Sequence, residues 1–285
     1  MASSKVRLGM HSSLWTASWT TEAAERLIPE AAKYGMAVIE IALLTPELID
    51  VDHSVALLKH HGVAPSGSLC LPMEDNAALY PQRAERFLQR ALETAHALGC
   101  EFMGGVTYST LGWRSGLAPT EQELSNIAKA LKPIARRAAE YGMGIGLEPC
   151  NRYETHLLNT TAQSLAMIER VGEPNVTVHL DTYHMNIEEK GIGNAIAAAG
   201  GHCRYIHLSE SDRGVPGTGT IDWDDCFAAI KRSGFAGDLV VESFVELPRE
   251  IAAALSVWRA VARDRYEVLD GGVPYLRDLM TRHGL

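Results

Sequence analysis

The stretch EQELSNIAKALKPIARRAAEYGMGIGLEP, residues 121 to 149, contains a helical pattern followed directly by a strand pattern. In residues 121–142, apolar side chains recur near i, i+3, i+4 and i+7, as in an amphipathic helix, and the pattern stops at Gly142. Residues 143–149 then form a short run of small and apolar side chains, which is typical of a buried strand. A helix that leads into a buried strand is the repeating unit of α/β folds.

The same alternation continues through the chain in both directions. Eight units are the number that closes a (β/α)8 barrel, the TIM barrel, of about 250 residues. An open doubly wound sheet is the rival, but it usually has fewer repeats and often a GxGxxG loop, which is missing after the first run. We therefore predict one TIM-barrel domain over residues 1–285, with 269–285 as an extra C-terminal helix packed outside the barrel. The predicted strands are 6–11, 37–42, 64–70, 101–107, 143–149, 176–181, 204–209 and 238–243, and the clearest helical patterns are 21–35, 84–99, 121–142 and 223–234.

Composition narrows the class of function. Hydrophobic residues make up 46% of the chain and charged residues 21%, which fits a globular protein with a sizeable core. The net charge of −9 argues against a nucleic-acid partner, because phosphate backbones are bound by clustered Lys and Arg. The five cysteines form no CxxC pair, as expected of free thiols in a reducing compartment. With no secretion signal and no apolar run of about 18 residues, we expect a cytoplasmic protein without a membrane partner.

Four consecutive predicted strands end on a residue that can bind a metal ion: Glu148, Asp181, His207 and Glu242. Their separations of 33, 26 and 35 residues each correspond to about one strand–helix unit, so one rim of the barrel would carry all four. A single acid at a strand end is more often a helix cap or part of an ion pair, but crowded carboxylates repel one another without a cation. Three carboxylates and an imidazole suit a divalent cation such as Mn²⁺, Mg²⁺ or Co²⁺.

A second set of polar residues follows these strand ends. Glu154 lies in NRYE, and His184 lies in a loop after the sixth strand, where it is free to point into the mouth of the barrel. The side chain of Arg213 could lie in the mouth of the barrel, or it could form a surface ion pair with Asp212 or Glu210. Both alternatives stay open at this point.

Aromatic residues also occur near the strand ends. Trp19 and Trp113 fall in loops at the same rim, which favours the wall of a pocket for a small ligand, although large apolar side chains are usually buried. Phe244 follows the eighth strand. His179 shares the inward face of the sixth strand with Asp181, and we expect it to be a buried hydrogen-bonding residue below the ligands.

Four motifs together resemble the ketose 3-epimerases, namely the D-tagatose, D-allulose and L-ribulose 3-epimerases of the xylose-isomerase-like TIM barrel superfamily. The resemblance spans nearly the whole chain. One metal ligand on each of four strands is common to the whole superfamily. The combination of E-x-x-N-R-[FY]-E with LDT[FY]HMNIEE occurs in far fewer families and favours the epimerases. The motifs are GLEPCNRYET (146–155), HLDTYHMNIEE (179–189), IHLSESDRGVPGTGTIDW (206–223) and VVESF (240–244).

The resemblance implies an enzyme that epimerises free ketoses of the tagatose, fructose or allulose, and ribulose type at C3. It also implies a divalent ion, with Mn²⁺ preferred, and a homodimer or homotetramer. His11 stands where several relatives carry an aromatic residue, which bears on the choice of sugar. The implied metal ligands are Glu148, Asp181, His207 and Glu242, the implied proton-transfer residues are Glu148 and Glu242, and the implied sugar contacts are Glu154, His184, Arg213, Trp19, Trp113, Phe244 and His11.

Inversion at C3 removes a weakly acidic proton next to a carbonyl group and returns one to the opposite face. Two carboxylates on different strands meet this need, and a cation bound to the oxygens at C2 and C3 would stabilise the cis-enediolate. An aldose–ketose isomerase on the same barrel is the alternative, although no lysine lies near these strand ends. An abasic-site endonuclease would need further His and Asp ligands and a basic face.

Overall fold

Eight parallel strands close into a barrel in the computed structural model, which describes residues 6–245 and 248–285. Each strand pairs with the next one along the chain, and the last pairs with the first, with Leu8 opposite Leu239. The predicted TIM barrel is therefore confirmed, and each predicted strand coincides with an observed one. The strands are β1 (Arg7–His11), β2 (Val38–Ala42), β3 (Ala64–Cys70), β4 (Phe102–Val106), β5 (Gly144–Leu147), β6 (Val176–Asp181), β7 (Cys203–Leu208) and β8 (Asp238–Val241).

Helices cover the outside of the barrel, and local sequence sets their ends. Thr120 and Glu123 form a capping box at the start of α4, in which each side chain accepts a hydrogen bond from the other residue's backbone N–H. Gly99 ends α3 in the left-handed conformation, with φ of 87°, which glycine adopts without strain. The helices are α1 (Thr21–Lys33), α2 (Val51–His61), α3 (Pro81–Leu98), α4 (Glu121–Glu140), α5 (Thr161–Val171), α6 (Thr182–Glu188), α7 (Ile192–Ala199), α8 (Trp223–Arg232), α9 (Arg249–Ala254), α10 (Arg265–Glu267) and α11 (Val273–His283).

The C-terminal helix α11 lies outside the barrel, where the sequence predicts it. It packs against α8, and His283 lies 3.0 Å from Asp224 of that helix. Arg277 donates to the carbonyl of Gly35 at 3.0 Å, just beyond the end of α1. The helix thus takes the position of the eighth outer helix, between the seventh and the first. No helix among the described residues is both long and apolar enough to cross a membrane.

The barrel interior is filled by side chains in layers. The ring of Phe102 stacks on Tyr205, with 4.7 Å between ring centroids and an interplanar angle of 8°. Inward-facing Gly146 leaves the room for Phe102, because a Cβ at Gly146 would overlap the Phe102 ring. His179 forms the next layer, 4.8 Å from Tyr205 and 4.2 Å from His207 between ring centroids, and is fully buried. This layer supports the polar rim from below.

Candidate active site

Four side chains at the carboxyl ends of β5 to β8 meet at one point. Nδ1 of His207 lies 3.3 Å from Glu148 Oε1, 3.5 Å from Glu242 Oε1 and 3.7 Å from Asp181 Oδ2. All four residues are buried, and none is more than 6% exposed. The structure therefore brings together the four residues that the sequence singles out as a cluster.

The charges in this cluster are strongly coupled. Burial raises the pKa of Glu148 and of Glu242 above the ordinary value. Burial alone would lower the pKa of His207, but the carboxylates of Glu242, Glu40 and Glu148 outweigh it and raise that pKa. Nδ1 of His207 nevertheless makes no hydrogen bond. This buried nitrogen and the three carboxylates around it together form a set of ligand atoms that a bound cation would satisfy.

Glu40 is a member of this site that the sequence analysis misses. It lies on β2, is fully buried, and its Oε2 is 2.8 Å from Nε2 of His207. The hydroxyl of Tyr205 donates to the same oxygen at 2.9 Å. The available signal is a single acid inside the apolar run VIEIA, since an isolated carboxylate in a buried strand requires a partner.

Arg213 lies in the mouth of the barrel rather than in a surface ion pair. Its NH1 group donates to Asp181 Oδ2 at 2.9 Å and to Glu242 Oε2 at 2.5 Å. The guanidinium carbon stands 4.1 Å from the ring centroid of Tyr183 and 4.8 Å from that of Phe244. The backbone has φ of 65°, a conformation that non-glycine residues rarely adopt and that often marks functional sites.

Glu210 explains why Arg213 turns inward. Its carboxylate accepts hydrogen bonds from the backbone N–H groups of Gly217 and Ile221, at 2.8 and 3.2 Å, and from the indole N–H of Trp223 at 2.9 Å. Glu210 therefore organises the β7–α8 loop and is not available as a surface partner for Arg213.

His184 lies on α6 rather than in a loop, which corrects the prediction from the sequence. Asp181 Oδ1 accepts a hydrogen bond from the N–H of Tyr183 at 2.6 Å, so the helix begins directly after β6. His184 is 2% exposed, and burial lowers its pKa to about 3. The N–H of Asn151 donates to Nδ1 at 3.1 Å. Nδ1 of the neutral ring is therefore the acceptor and the proton is on Nε2, which lies 3.3 Å from Arg213 NH2 and 3.8 Å from Glu148 Oε1.

Glu154 is also fully enclosed by the site. Its Oε1 accepts a hydrogen bond from Asn151 Nδ2 at 2.8 Å and lies 3.6 Å from Arg213. Its Oε2 is buried and has no hydrogen-bond partner. Burial raises the pKa of Glu154 to about 7. Such an unpaired acceptor can take a hydroxyl group of a ligand.

A cavity of about 590 Å³ opens at this rim. Its floor is polar and includes Glu148, His207 and Glu242, and His11 and Phe244 also line it. Its outer wall is largely apolar, and α9 contributes to it. The apolar lining includes Leu44, Leu69, Leu71, Leu111, Ile251 and Leu255.

Two tryptophans that the sequence analysis assigns to the pocket wall do not line this cavity. Trp19 is 2% exposed, and its indole N–H donates to Ser54 Oγ on α2 at 3.1 Å. Trp113 packs edge-on against His156, with ring centroids 4.8 Å apart. Both residues follow the ends of strands, but their loops carry the rings outward into packing contacts, which local sequence does not determine.

The fold and the rim site define a class of barrel enzyme, and comparison with known proteins agrees. A family model described as the xylose isomerase-like TIM barrel matches residues 28–261. The L-ribulose 3-epimerase of Methylomonas sp. (strain DH-1) is 35% identical over 96% of this chain and 97% of its own. The ketose 3-epimerase of Arthrobacter globiformis is 34% identical, over 97% of each chain. The chain belongs to the ketose 3-epimerase family within that class, and it is an enzyme of the isomerase class.

A solved structure shows the same relationship in three dimensions. The D-allulose 3-epimerase from Methylomonas sp., crystallised in complex with D-allulose, matches this chain with a TM-score of 0.91 at 33% identity. The match covers 96% of this chain and 97% of that chain.

Proposed function

We propose that this enzyme catalyses metal-dependent epimerisation of free ketoses at C3, with substrates of the tagatose, fructose or allulose, and ribulose type. The observation that carries the proposal is the convergence of three carboxylates on the unpaired Nδ1 of His207, at the floor of a cavity of about 590 Å³. A relative bound to D-allulose supports a ketose as the ligand. The cavity lining includes no cluster of Lys or Arg among the described residues, and the nearby Arg213 is already paired with Asp181 and Glu242, which favours an unphosphorylated sugar.

The residues at the rim fit a divalent cation. Glu148, Asp181, His207 and Glu242 would hold it, and the candidate ligand atoms of Asp181, His207 and Glu242 lie within 4.8 Å of one another. The oxygen and imidazole donors, with no thiolate among these four, favour Mn²⁺, with Mg²⁺ or Co²⁺ as alternatives. When bound, the cation supplies a Lewis acid for the oxygens at C2 and C3 of the sugar.

Glu148 and Glu242 are the proposed proton-transfer residues. They follow β5 and β8, three strands apart around the ring, and can reach one carbon from different directions. One carboxylate takes the proton from C3, and the electron pair of the C–H bond forms the C2–C3 double bond of the enediolate. The other, in its acid form, gives a proton to the opposite face of C3.

Three further residues are proposed to hold the sugar. Glu154 Oε2 has no hydrogen-bond partner and would accept a hydrogen bond from a hydroxyl group. His184 carries its proton on Nε2 and would donate to a sugar oxygen. Arg213 places its positive charge beside the two ligands Asp181 and Glu242, close to where negative charge develops on the sugar.

We also propose a cytoplasmic homodimer or homotetramer. Large apolar side chains remain exposed on the single chain, including Leu48 at 72%, Leu117 at 74% and Trp258 at 75%. The five cysteines are free, which supports a reducing compartment. Size-exclusion chromatography with light scattering tests the assembly, and a monomer at micromolar concentration would contradict it.

Incubation of the Mn²⁺-loaded enzyme with fructose, tagatose or ribulose in D₂O tests the proposed reaction. We expect the C3 epimer as product, with deuterium at C3 by NMR. Glu148→Gln and Glu242→Gln, assayed at saturating Mn²⁺, should each lower turnover by about 10²–10⁴-fold, while circular dichroism stays unchanged. An aldose product would instead indicate the aldose–ketose isomerase, and near-wild-type turnover in either variant would exclude the two-glutamate mechanism.

A further inference from the structure

Glu40 is a buried acid that takes no part in the proton transfers proposed above. It comes from β2, which β1 separates from β8 of the rim cluster, and none of its surface is exposed. Ionised acids are seldom fully buried unless they are paired. Its partners therefore indicate what it does.

Two side chains hydrogen-bond to this carboxylate, and a third lies beside it. Nε2 of His207 lies 2.8 Å from Oε2, and the hydroxyl of Tyr205 donates to the same oxygen at 2.9 Å. Nε2 of His11 lies 3.4 Å from Oε1. Since the N–H of Ser13 donates to Nδ1 of His11 at 2.8 Å, the proton of that ring is on Nε2, which hydrogen-bonds to Ser68 Oγ at 3.1 Å. Glu40 is thus held from β7 through Oε2, while Oε1 makes no hydrogen bond.

The contact with His207 determines where that ring carries its proton. An ionised carboxylate only accepts hydrogen bonds, so Nε2 of His207 must donate to Glu40. In the neutral ring that binds a metal, the lone pair of Nδ1 then faces Glu148, Asp181 and Glu242, at 3.3, 3.7 and 3.5 Å. The opposite tautomer would turn an N–H group toward the proposed ion and leave Glu40 facing a bare nitrogen.

We propose that Glu40 is a positioning residue that fixes the tautomer and ring orientation of His207 for metal binding. This proposal rests on the metal site of the proposed function. Histidines that bind metals commonly donate their other ring N–H to a carboxylate, and loss of such a partner typically weakens metal binding about 10–100-fold. Glu40 acts through His207, and the pocket of about 590 Å³ does not include it in its lining.

Glu40→Gln and Tyr205→Phe form a matched pair of variants. Glu40→Gln keeps the shape and one oxygen acceptor but removes the negative charge, whereas Tyr205→Phe removes only the other hydrogen bond to the same oxygen. Calorimetric titration of the metal-free proteins with Mn²⁺ should show affinity about 10–100-fold weaker than wild type for Glu40→Gln and close to wild type for Tyr205→Phe. Unchanged affinity in Glu40→Gln, beside a wild type that binds Mn²⁺, would overturn the role of Glu40 alone.

Kinetics separates positioning from a purely structural role. In Glu40→Gln, the Mn²⁺ concentration for half-maximal activity should rise by the same factor as the dissociation constant, with the KM for ketose at saturating Mn²⁺ unchanged. A lower melting temperature with the same Mn²⁺ requirement would indicate structure alone and contradict the proposal. If the wild type has no epimerase activity but Glu40→Gln still binds Mn²⁺ more weakly than the wild type, the proposed function alone would be overturned.

A measurement on the wild type makes the proposal testable even if Glu40→Gln does not fold. In protein with ¹⁵N-labelled histidine and bound Mg²⁺, which is diamagnetic, NMR should place the His207 proton on Nε2. A proton on Nδ1 would overturn the proposal. A wild-type chain that binds neither Mn²⁺ nor Mg²⁺ would overturn it together with the metal site.

Discussion

Replacing Gly146 with alanine tests how the barrel interior positions Glu148, two residues further along the chain. A Cβ at Gly146 would overlap Cζ of Phe102 and lie 3.1 Å from Cβ of His179. Both neighbours are enclosed in the barrel, with Phe102 stacked on Tyr205. Overpacking of this kind typically costs about 1–3 kcal/mol. Because the Phe102 ring or β5 must shift to relieve it, and both lie below the rim cluster, we also expect epimerase activity to fall.

Gly144 supplies a matched control on the same strand and the same face. A Cβ there would lie 3.4 Å from Cδ2 of Phe102, which is an ordinary contact. Gly144→Ala should therefore be neutral or stabilise by about 0.4–1 kcal/mol, through the lower entropy of the unfolded chain. The two alanine variants should differ by about 1–4 kcal/mol, or roughly 2–16 °C in melting temperature.

Urea denaturation followed by circular dichroism measures this difference. Phe102→Leu removes the ring atoms that overlap, so the cost of Gly146→Ala should shrink in that background, as a double-mutant cycle would show. Equal stability of the Gly144→Ala and Gly146→Ala proteins, or no coupling between Phe102 and Gly146, would refute this account of the interior.

Two further predictions concern side chains around the cavity. Arg213→Lys keeps the charge but loses the planar guanidinium group that contacts Tyr183 and Phe244. Steady-state kinetics should show kcat/KM about 10²-fold below wild type, with the fold intact. A wild-type kcat/KM would contradict the proposed role of Arg213. Cys70 lines the cavity, and burial raises its pKa to about 11. Mass spectrometry should therefore show that Cys70 is alkylated slowly at pH 8, faster at higher pH, and more slowly when the enzyme is saturated with ketose. Fast alkylation at pH 7 would contradict the raised pKa.

The barrel could be predicted because each of its units is marked locally. Even β3, Ala64–Cys70, whose sequence APSGSLC is not strongly apolar, buries four successive residues, 66–69, as expected of a parallel strand covered on both faces. The short helix α6 was not predicted. Its start depends on Asp181, a predicted metal ligand whose side chain also caps the helix.

The rim cluster could be predicted because its four members recur at the same place in successive units. Glu40 could not, since its partner His207 is 167 positions away and no local spacing connects them. The tryptophans show a different limit. Sequence places Trp19 and Trp113 near the correct rim, but the direction of each ring depends on packing partners, Ser54 and His156, that only the folded chain brings near.

The closure of the barrel has a consequence for how the chain is made. Arg7 of β1 pairs with Asp238 of β8, and 231 positions separate them. At about 5–20 residues per second, a ribosome needs roughly 10–50 s to synthesise that interval. During this time β1 is an open strand edge that can pair with other nascent chains. This edge of β1 is covered only after the eighth strand has emerged from the ribosome.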